Sequence, residues 1–311
     1  MEFFSKATNF PFMATRKVWY GLSAVLMIIC FVSFATRGLN YAIDFTGGVS
    51  AQAAFDKTAN VDAVRAALQQ GGFHEPSVAS FGSDRELAIR LPPIPGQEAS
   101  AIRARLQDLL KTVDSSVRIE DVAVVGPQVG EELKYSAIWA LSFTLIGIAI
   151  YLALRFHTPR LSAGAILAVI HDPILVLGVF SITQTPFDLA VVAAILAVIG
   201  YSLNDTVIVF DRIRERFETA RRLPSAVVLD QAINQTLSRT IMTKVVTSIV
   251  VVALLFLGGP VLRGFSEALL IGILAGTYSS IYISSAVALD LGLKAEHVFP
   301  SVKKTAADNL P

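Results

Sequence analysis

Asp205 lies in the apolar run 189–209, LAVVAAILAVIGYSLNDTVIV, whose natural surroundings are hydrocarbon. An ionised carboxylate there is expensive, so one that is kept usually faces a polar interior and has work to do. Asn204 is its neighbour and Gly200 is about a turn away. Arg239 opens the next apolar run, and Lys244 follows about a turn and a half deeper. A carboxylate and cations at similar depth on adjacent helices form the pattern of a proton or ion path. A nearby cation favours the ionised carboxylate and burial opposes it. Proton uptake at Asp205 would therefore weaken its hold on the cation, and Asp205 and Arg239 are expected to act as one unit. Plainer readings stand beside this one. Asp205 could be a structural ion pair or a helix cap, and Arg239 could snorkel to the interface. Lys244 could do the same or join the polar centre.

The remaining polar residues of the apolar runs fit structural roles more readily. His171-Asp172 precedes Pro173, which frees backbone groups that polar side chains can satisfy, although a relay role is open to the pair. The Asn204-Asp205-Thr206 triplet matches a glycosylation sequon but lies inside a span, out of reach. Asp44-Phe45-Thr46-Gly47-Gly48 has paired glycines, which permit positive φ and close approach. No Gly-Lys-Ser/Thr follows, so a phosphate cradle is not indicated. A joint after the first span fits better, with Gly126, Pro127 and Gly130 as the matching joint before the second. No protease constellation, nucleotide-binding loop or metal-ligand spacing stands out, and neither an enzymatic activity nor a cofactor is expected.

Of 311 residues, 53% are hydrophobic and 16% charged, below the roughly 25% of a soluble domain. Net charge +1 gives no nucleic-acid footprint. The one cysteine, Cys30, reads as packing. Apolar runs of spanning length occur at 18–36, 136–154, 161–182, 189–210, 241–258 and 265–289. Between the first two, 38–134 is charged and too polar to span. Lys6, Arg16, Lys17, Arg155, Arg160, Arg212, Arg214, Arg216, Arg221, Arg222, Lys294, Lys303 and Lys304 all fall on one side. The positive-inside rule then puts both termini in the cytoplasm and 38–134 outside it. Within 38–134, strands are expected at 49–55, 77–81, 86–91 and 117–125, with a turn at 82–85. Helices are expected at 61–70 and 98–111. The order βαββαβ predicts a ferredoxin-like sandwich, a fold that assigns no function. In the last span Ala268, Gly272, Gly276, Ser280 and Ser284 recur every four residues, a packing stripe for a helix of this chain or of another subunit.

Several motifs together resemble SecF of the SecD/SecF family. They are the DFTGG at 44–48, Val125-Gly126-Pro127 with Val129-Gly130 and Glu132-Leu133, and VIGYSLNDTVIVFDRIRE at 198–215. Gln235 to Thr240 (QTLSRT) and GGPVLRGF at 258–265 complete the set. The resemblance runs from about 38 to 297. It implies a half-unit of the resistance-nodulation-division (RND) superfamily: a polytopic α-helical membrane protein with six transmembrane helices and an inserted α+β periplasmic domain. The implied division is 1–37 N-terminus and first helix, 38–134 periplasmic domain, 135–290 helices two to six, and 291–311 cytoplasmic tail. It implies an accessory subunit of the Sec protein translocase in the bacterial inner membrane, drawing on the proton-motive force at late steps of translocation. The implied partners are SecD, the SecYEG translocon, a YajC-like accessory subunit, unfolded preprotein and membrane lipid. The family's polar residues of the fourth and fifth spans map onto Asp205 and Arg239. Lys244 departs from the family pattern, which has a small residue such as Ser there. A proton-driven small-molecule exporter of the same superfamily is the alternative, disfavoured because one small head offers no drug-binding porch.

Overall fold

The computed structural model describes residues 8–81, 83–94 and 98–298. Lys6, Lys303 and Lys304 of the basic set, and Gly82 of the expected turn, lie outside them. Helix α1 (Arg16–Arg37) ends at Gly38, whose φ is 64°. A short α2 (Ile43–Thr46) leads into β1 (Gly48–Ala54). Then come α3 (Val61–Gln70), β2 (Ser77–Phe81), β3 (Ser83–Leu91), α4 (Ala99–Leu110) and β4 (Arg118–Val125). The strands form one antiparallel sheet in the order β2-β3-β1-β4. That order is the split βαβ arrangement expected of a ferredoxin-like sandwich.

Alternation explains the sheet. Val49, Ala51 and Ala53 of β1 and Leu87, Ile89 and Leu91 of β3 are buried in one cluster with Val64 and Leu68 of α3 and Ile102, Leu106 and Leu110 of α4. Ser50, Gln52, Ala88 and Arg90 occupy the intervening positions and face the other way. Asn60 caps α3 by accepting from the N–H groups of Asp62 and Ala63, both at 3.1 Å. Strand β3 begins at Ser83 rather than 86. Ser83, Asp84 and Arg85 are exposed, so they carry no apolar signal, yet Phe81 pairs with Ser83 across a register shift.

Among the described residues, six helices are long and apolar enough to cross a membrane. They are α1, α5 (Pro127–Phe156), α6 (Pro159–Thr183), α7 (Leu189–Thr219), α8 (Ser225–Leu257) and a last span formed by α9 (Gly259–Tyr282) and α10 (Ser284–Asp290). A short α11 (Ala295–Val298) follows. In their most apolar stretches α6, α7 and the last span are 61%, 50% and 61% buried, against 17%, 11% and 17% for α1, α5 and α8. Three helices thus form the centre and three flank it. Helix α8 starts at Ser225, well before the apolar run at 241. Its polar early turns stay helical because they pack: Asp230 accepts from the Met13 N–H at 2.8 Å, and Asn234 exchanges two bonds with Phe10. The last span breaks at Ile283. The Ser284 hydroxyl bonds the Ser280 carbonyl at 2.6 Å, and such serine back-bonding disturbs a helix ladder.

Candidate functional site

Helix α7 buries Ile195, Val198, Ile199, Ser202, Asp205, Thr206 and Val209, a helical stripe that carries Asp205 into the bundle. Asp205 is 2% exposed. Its partner is Lys244 of α8, 5% exposed, with Nζ to Oδ2 at 2.6 Å. The two atoms meet as an ion pair, and neither has another hydrogen-bond partner among the described residues. The Lys244 ammonium also sits 4.1 Å from the centre of the Tyr201 ring, a cation–π contact. The Tyr201 hydroxyl donates to the Thr243 carbonyl at 3.0 Å and pairs with Thr247 Oγ1 at 2.8 Å, which fixes the ring.

One helical turn away lies a second polar cluster. Asp172 of α6 is fully buried. Its Oδ2 accepts from the hydroxyls of Ser202 on α7 and of Ser279 on α9, the latter at 2.8 Å. Its Oδ1 is 3.1 Å from His171 Nδ1, and His171 Nε2 is 2.8 Å from Ser23 Oγ on α1. Gly276 makes room for this cluster: a methyl there would stand 3.0 Å from Ser202 Oγ and 3.5 Å from Asp172 Oδ2. Ser202 is three residues before Asp205, so Asp205 and the hydroxyl that binds Asp172 lie on one face of α7. Asp172 also acts electrostatically on Lys244. Two carboxylates, one lysine and the His171 ring thus share a polar centre buried within the bundle.

Arg239 does not join it. It is exposed, in a polar groove with Asp211, Arg212, Glu215 and Gln235 at the basic end of α7 and α8. Among the described residues it makes no ion pair. The reason is helical geometry. Arg239 and Lys244 are five residues apart, so they project about 140° apart around α8. The stripe Thr236, Thr240 and Lys244 turns inward and Arg239 turns out. Asn204 is also exposed, because it is one residue, or about 100°, round α7 from Asp205. The expected Asp205–Arg239 unit is thus replaced by Asp205–Lys244. Ser202, Ser279 and Ser23 were not singled out from the sequence. The spacing of Ser202 from Asp205 was the available signal, whereas Ser23 and Ser279 come from distant spans.

The small-residue stripe packs within the chain. A methyl at Gly272 would overlap Val198 of α7, and one at Gly164 of α6 would overlap the Ser284 carbonyl. Ser280 is fully buried. The two glycine joints meet each other. Gly47 and Gly48 have φ of 68° and 126°. A methyl on Gly47 would lie 2.8 Å from Pro127 Cα, and one on Gly130 would lie 2.8 Å from Gly47 N. Gly126 is the N-cap of α5 and Pro127 its first residue, where no N–H is needed. Asp44 reaches across to α7 and accepts from the Leu189 N–H at 3.0 Å. No cluster of three or more His, Cys, Asp or Glu with metal-site geometry occurs among the described residues.

Comparison with known proteins places this geometry. Residues 105–294 match the family described as protein export membrane protein SecD/SecF, C-terminal, and residues 32–59 match the SecD/SecF GG motif. The protein translocase subunit SecF of Haemophilus influenzae is 45% identical over 300 residues, covering 96% of this chain and 91% of the relative. That of Vibrio alginolyticus is 43% identical, covering 96% and 95%. The crystal structure of SecDF, a translocon-associated membrane protein from Thermus thermophilus, superposes with a TM-score of 0.83 at 36% identity. It matches 91% of this chain, which spans only 39% of the SecDF chain. A multi-pass membrane protein with an inserted ferredoxin-like domain, related over nearly its whole length to SecF translocase subunits, belongs to the SecD/SecF family as a SecF and has its role in protein translocation.

Proposed function

We propose that this chain couples the proton-motive force to late steps of preprotein translocation, as the partner of a SecD subunit in the bacterial inner membrane. In this reading both termini are cytoplasmic, the sheet domain is periplasmic, and the pair works beside SecYEG and a YajC-like subunit on unfolded preprotein. The chain breaks no covalent bond and needs no cofactor. The observation that carries the reading is the ion pair of Asp205 and Lys244, both almost fully buried in the bundle. A buried carboxylate with one lysine partner is stable while ionised. When Asp205 takes a proton the attraction disappears and the Lys244 ammonium is left without its counter-ion. That state is costly, so α7 and α8 shift until Lys244 finds another acceptor or Asp205 releases its proton. Access of Asp205 to opposite sides before and after the shift would make the cycle vectorial.

A SecD partner is supported by the outer face of α7. Although this helix is central, Ala193, Ala197, Gly200 and Asn204 are exposed along one stripe, and a methyl on Gly200 would touch nothing. Small residues with one asparagine suit a closely packed, hydrogen-bonded helix from another subunit. The orientation rests on the basic residues at the end of the bundle away from the sheet, including Arg16, Arg155, Arg160 and Arg212. Alkaline-phosphatase fusions at residues 90 and 220 test it: activity at 220 and none at 90 would reverse the topology. The coupling is tested by Asp205→Asn in vesicles that hold SecD and the translocon. Export is expected to continue at its basal rate and lose its stimulation by a proton gradient. Full stimulation at normal protein level would make the carboxylate structural.

A further inference from the structure

The polar face of the sheet does not rest directly on the membrane bundle. A cavity of about 440 Å³ separates them. Its roof is Ser50, Gln52, Ala88 and Arg90 of the sheet, and its floor includes Asp44 and Asp188. Arg90 is half-buried, yet among the described residues it forms no ion pair and no side-chain hydrogen bond. Asp188 faces it across the gap. Burial pushes the Asp188 carboxyl up, with Asp44 adding to the rise, while the Val191 and Ala190 N–H groups and Arg90 oppose it. Burial likewise draws the Arg90 guanidinium down, against the pull of Asp188. Each charge bears a desolvation cost that direct contact with the other would offset. The other charges lining the cavity are Arg263 and Glu267, which pair with each other at 3.0 Å. Ala88, Ala123 and Ala190 leave little bulk to stop the gap from closing.

The connections around the cavity suit a hinged closure. The floor is the N-terminus of α7, capped by Asp188 through the Val191 N–H at 2.8 Å. It is strapped to the segment before the sheet. Phe187 N–H donates to the Asn40 carbonyl at 2.8 Å, Ala42 N–H donates to the Phe187 carbonyl at 2.9 Å, and Asp44 takes the Leu189 N–H. The sheet hangs from that strap by Gly47 and Gly48, both at positive φ. Asp205 lies on the same α7, about 24 Å from this end at 1.5 Å per residue.

We propose that Arg90 is a latch residue: the sheet domain swings about Gly47-Gly48 toward the bundle until the Arg90 guanidinium pairs with Asp188 at the head of α7, so that a shift of α7 opens or closes the domain. Arg90 touches no proton-carrying group and acts through Asp188 as a positioning residue. The link to Asp205 rests on the proton-coupled reading above, but the latch itself does not.

The experiment uses the full chain with its SecD partner in lipid vesicles, in a Cys30→Ser background. Spin labels on Ala101→Cys of α4 and Thr183→Cys of α6, both exposed, report the domain-to-bundle distance by pulsed electron resonance. Two distances are expected, and Asp205→Asn, which mimics the protonated centre, should enrich the shorter. Arg90→Gln should lose the short component in both backgrounds, and Arg90→Lys, which keeps the charge, should retain it. A distance distribution unchanged by Arg90→Gln overturns the latch. Loss of the short component on Arg90→Gln, with no response to Asp205→Asn, upholds the latch and rejects its control by Asp205.

Discussion

Lys244 decides how the buried centre behaves. Its ammonium is the counter-ion of Asp205, so the two residues are a thermodynamic unit. Removing one partner of a buried pair strands the other charge, at about 3–5 kcal/mol. Lys244→Met should therefore lower stability by about that amount, read from thermal unfolding of the purified protein in detergent. Combining it with Asp205→Asn should restore most of the loss, because no charge is then stranded. A double variant as unstable as the sum of the singles would show that the pair contributes nothing as a pair. Arg239 gives the contrasting case. It is exposed and apart from Asp205, so Arg239→Gln and Asp205→Asn should add in their effects on export. Strong non-additivity would mean that the two meet in another state of the protein.

At the scale of elements, close approach of helices depends on missing side chains. A methyl at Gly272 would overlap Val198, so α7 and α9 pack at a distance that only glycine allows there. Gly272→Val should separate the helices that carry Ser202 and Ser279, disturb the Asp172 cluster and lower stability by about 1–3 kcal/mol, as overpacking does. Gly147 of α5 is the control, since a methyl there meets nothing within 4 Å. Gly147→Ala should be neutral or mildly stabilising, because it removes the entropic cost of a mid-helix glycine. Equal losses at the two positions, measured by thermal melting in detergent, would show that helix approach does not limit stability. The glycine joint follows the same logic: Gly47, Pro127 and Gly130 let two chain segments pass backbone against backbone where the sheet domain leaves the membrane.

The whole molecule is two cores joined by that crossing. The sheet domain buries its own cluster, from Val49 to Ile119, separate from the cluster of the helix bundle. A segment covering 47–126 should therefore fold alone and melt cooperatively in circular dichroism; a non-cooperative melt would show that it needs the bundle. The bundle is less self-contained. Helices α1, α5 and α8 expose rows of large apolar side chains such as Phe31, Phe143 and Phe256, suited to lipid or to a partner helix.

Much of this was legible in the sequence, for identifiable reasons. Spans announce themselves because hydrocarbon admits few charges over about 20 residues: among the described residues five of the six expected runs lie within the long apolar helices, and the run 241–258 passes the end of its helix at Leu257 by one residue. The ferredoxin-like order followed from alternation and from turn residues; the exposed start of β3, which has no apolar face, and the one-turn helix α2 before the sheet were missed. Asp205 stood out because a charge in an apolar run is rare whatever surrounds it. Its partner did not. Arg239 and Lys244 are both cations on the same helix at plausible depth, and only the angular position of each around α8 against α7 separates them. Asp172 was visible, but its hydroxyl partners Ser23, Ser202 and Ser279 come from three different helices, and no local pattern binds residues so far apart. The meeting of the two glycine joints and the cavity between Arg90 and Asp188 are likewise properties of distant segments brought together. Local chemistry determines which element forms and which residues are costly to bury; tertiary packing alone decides which of those residues meet.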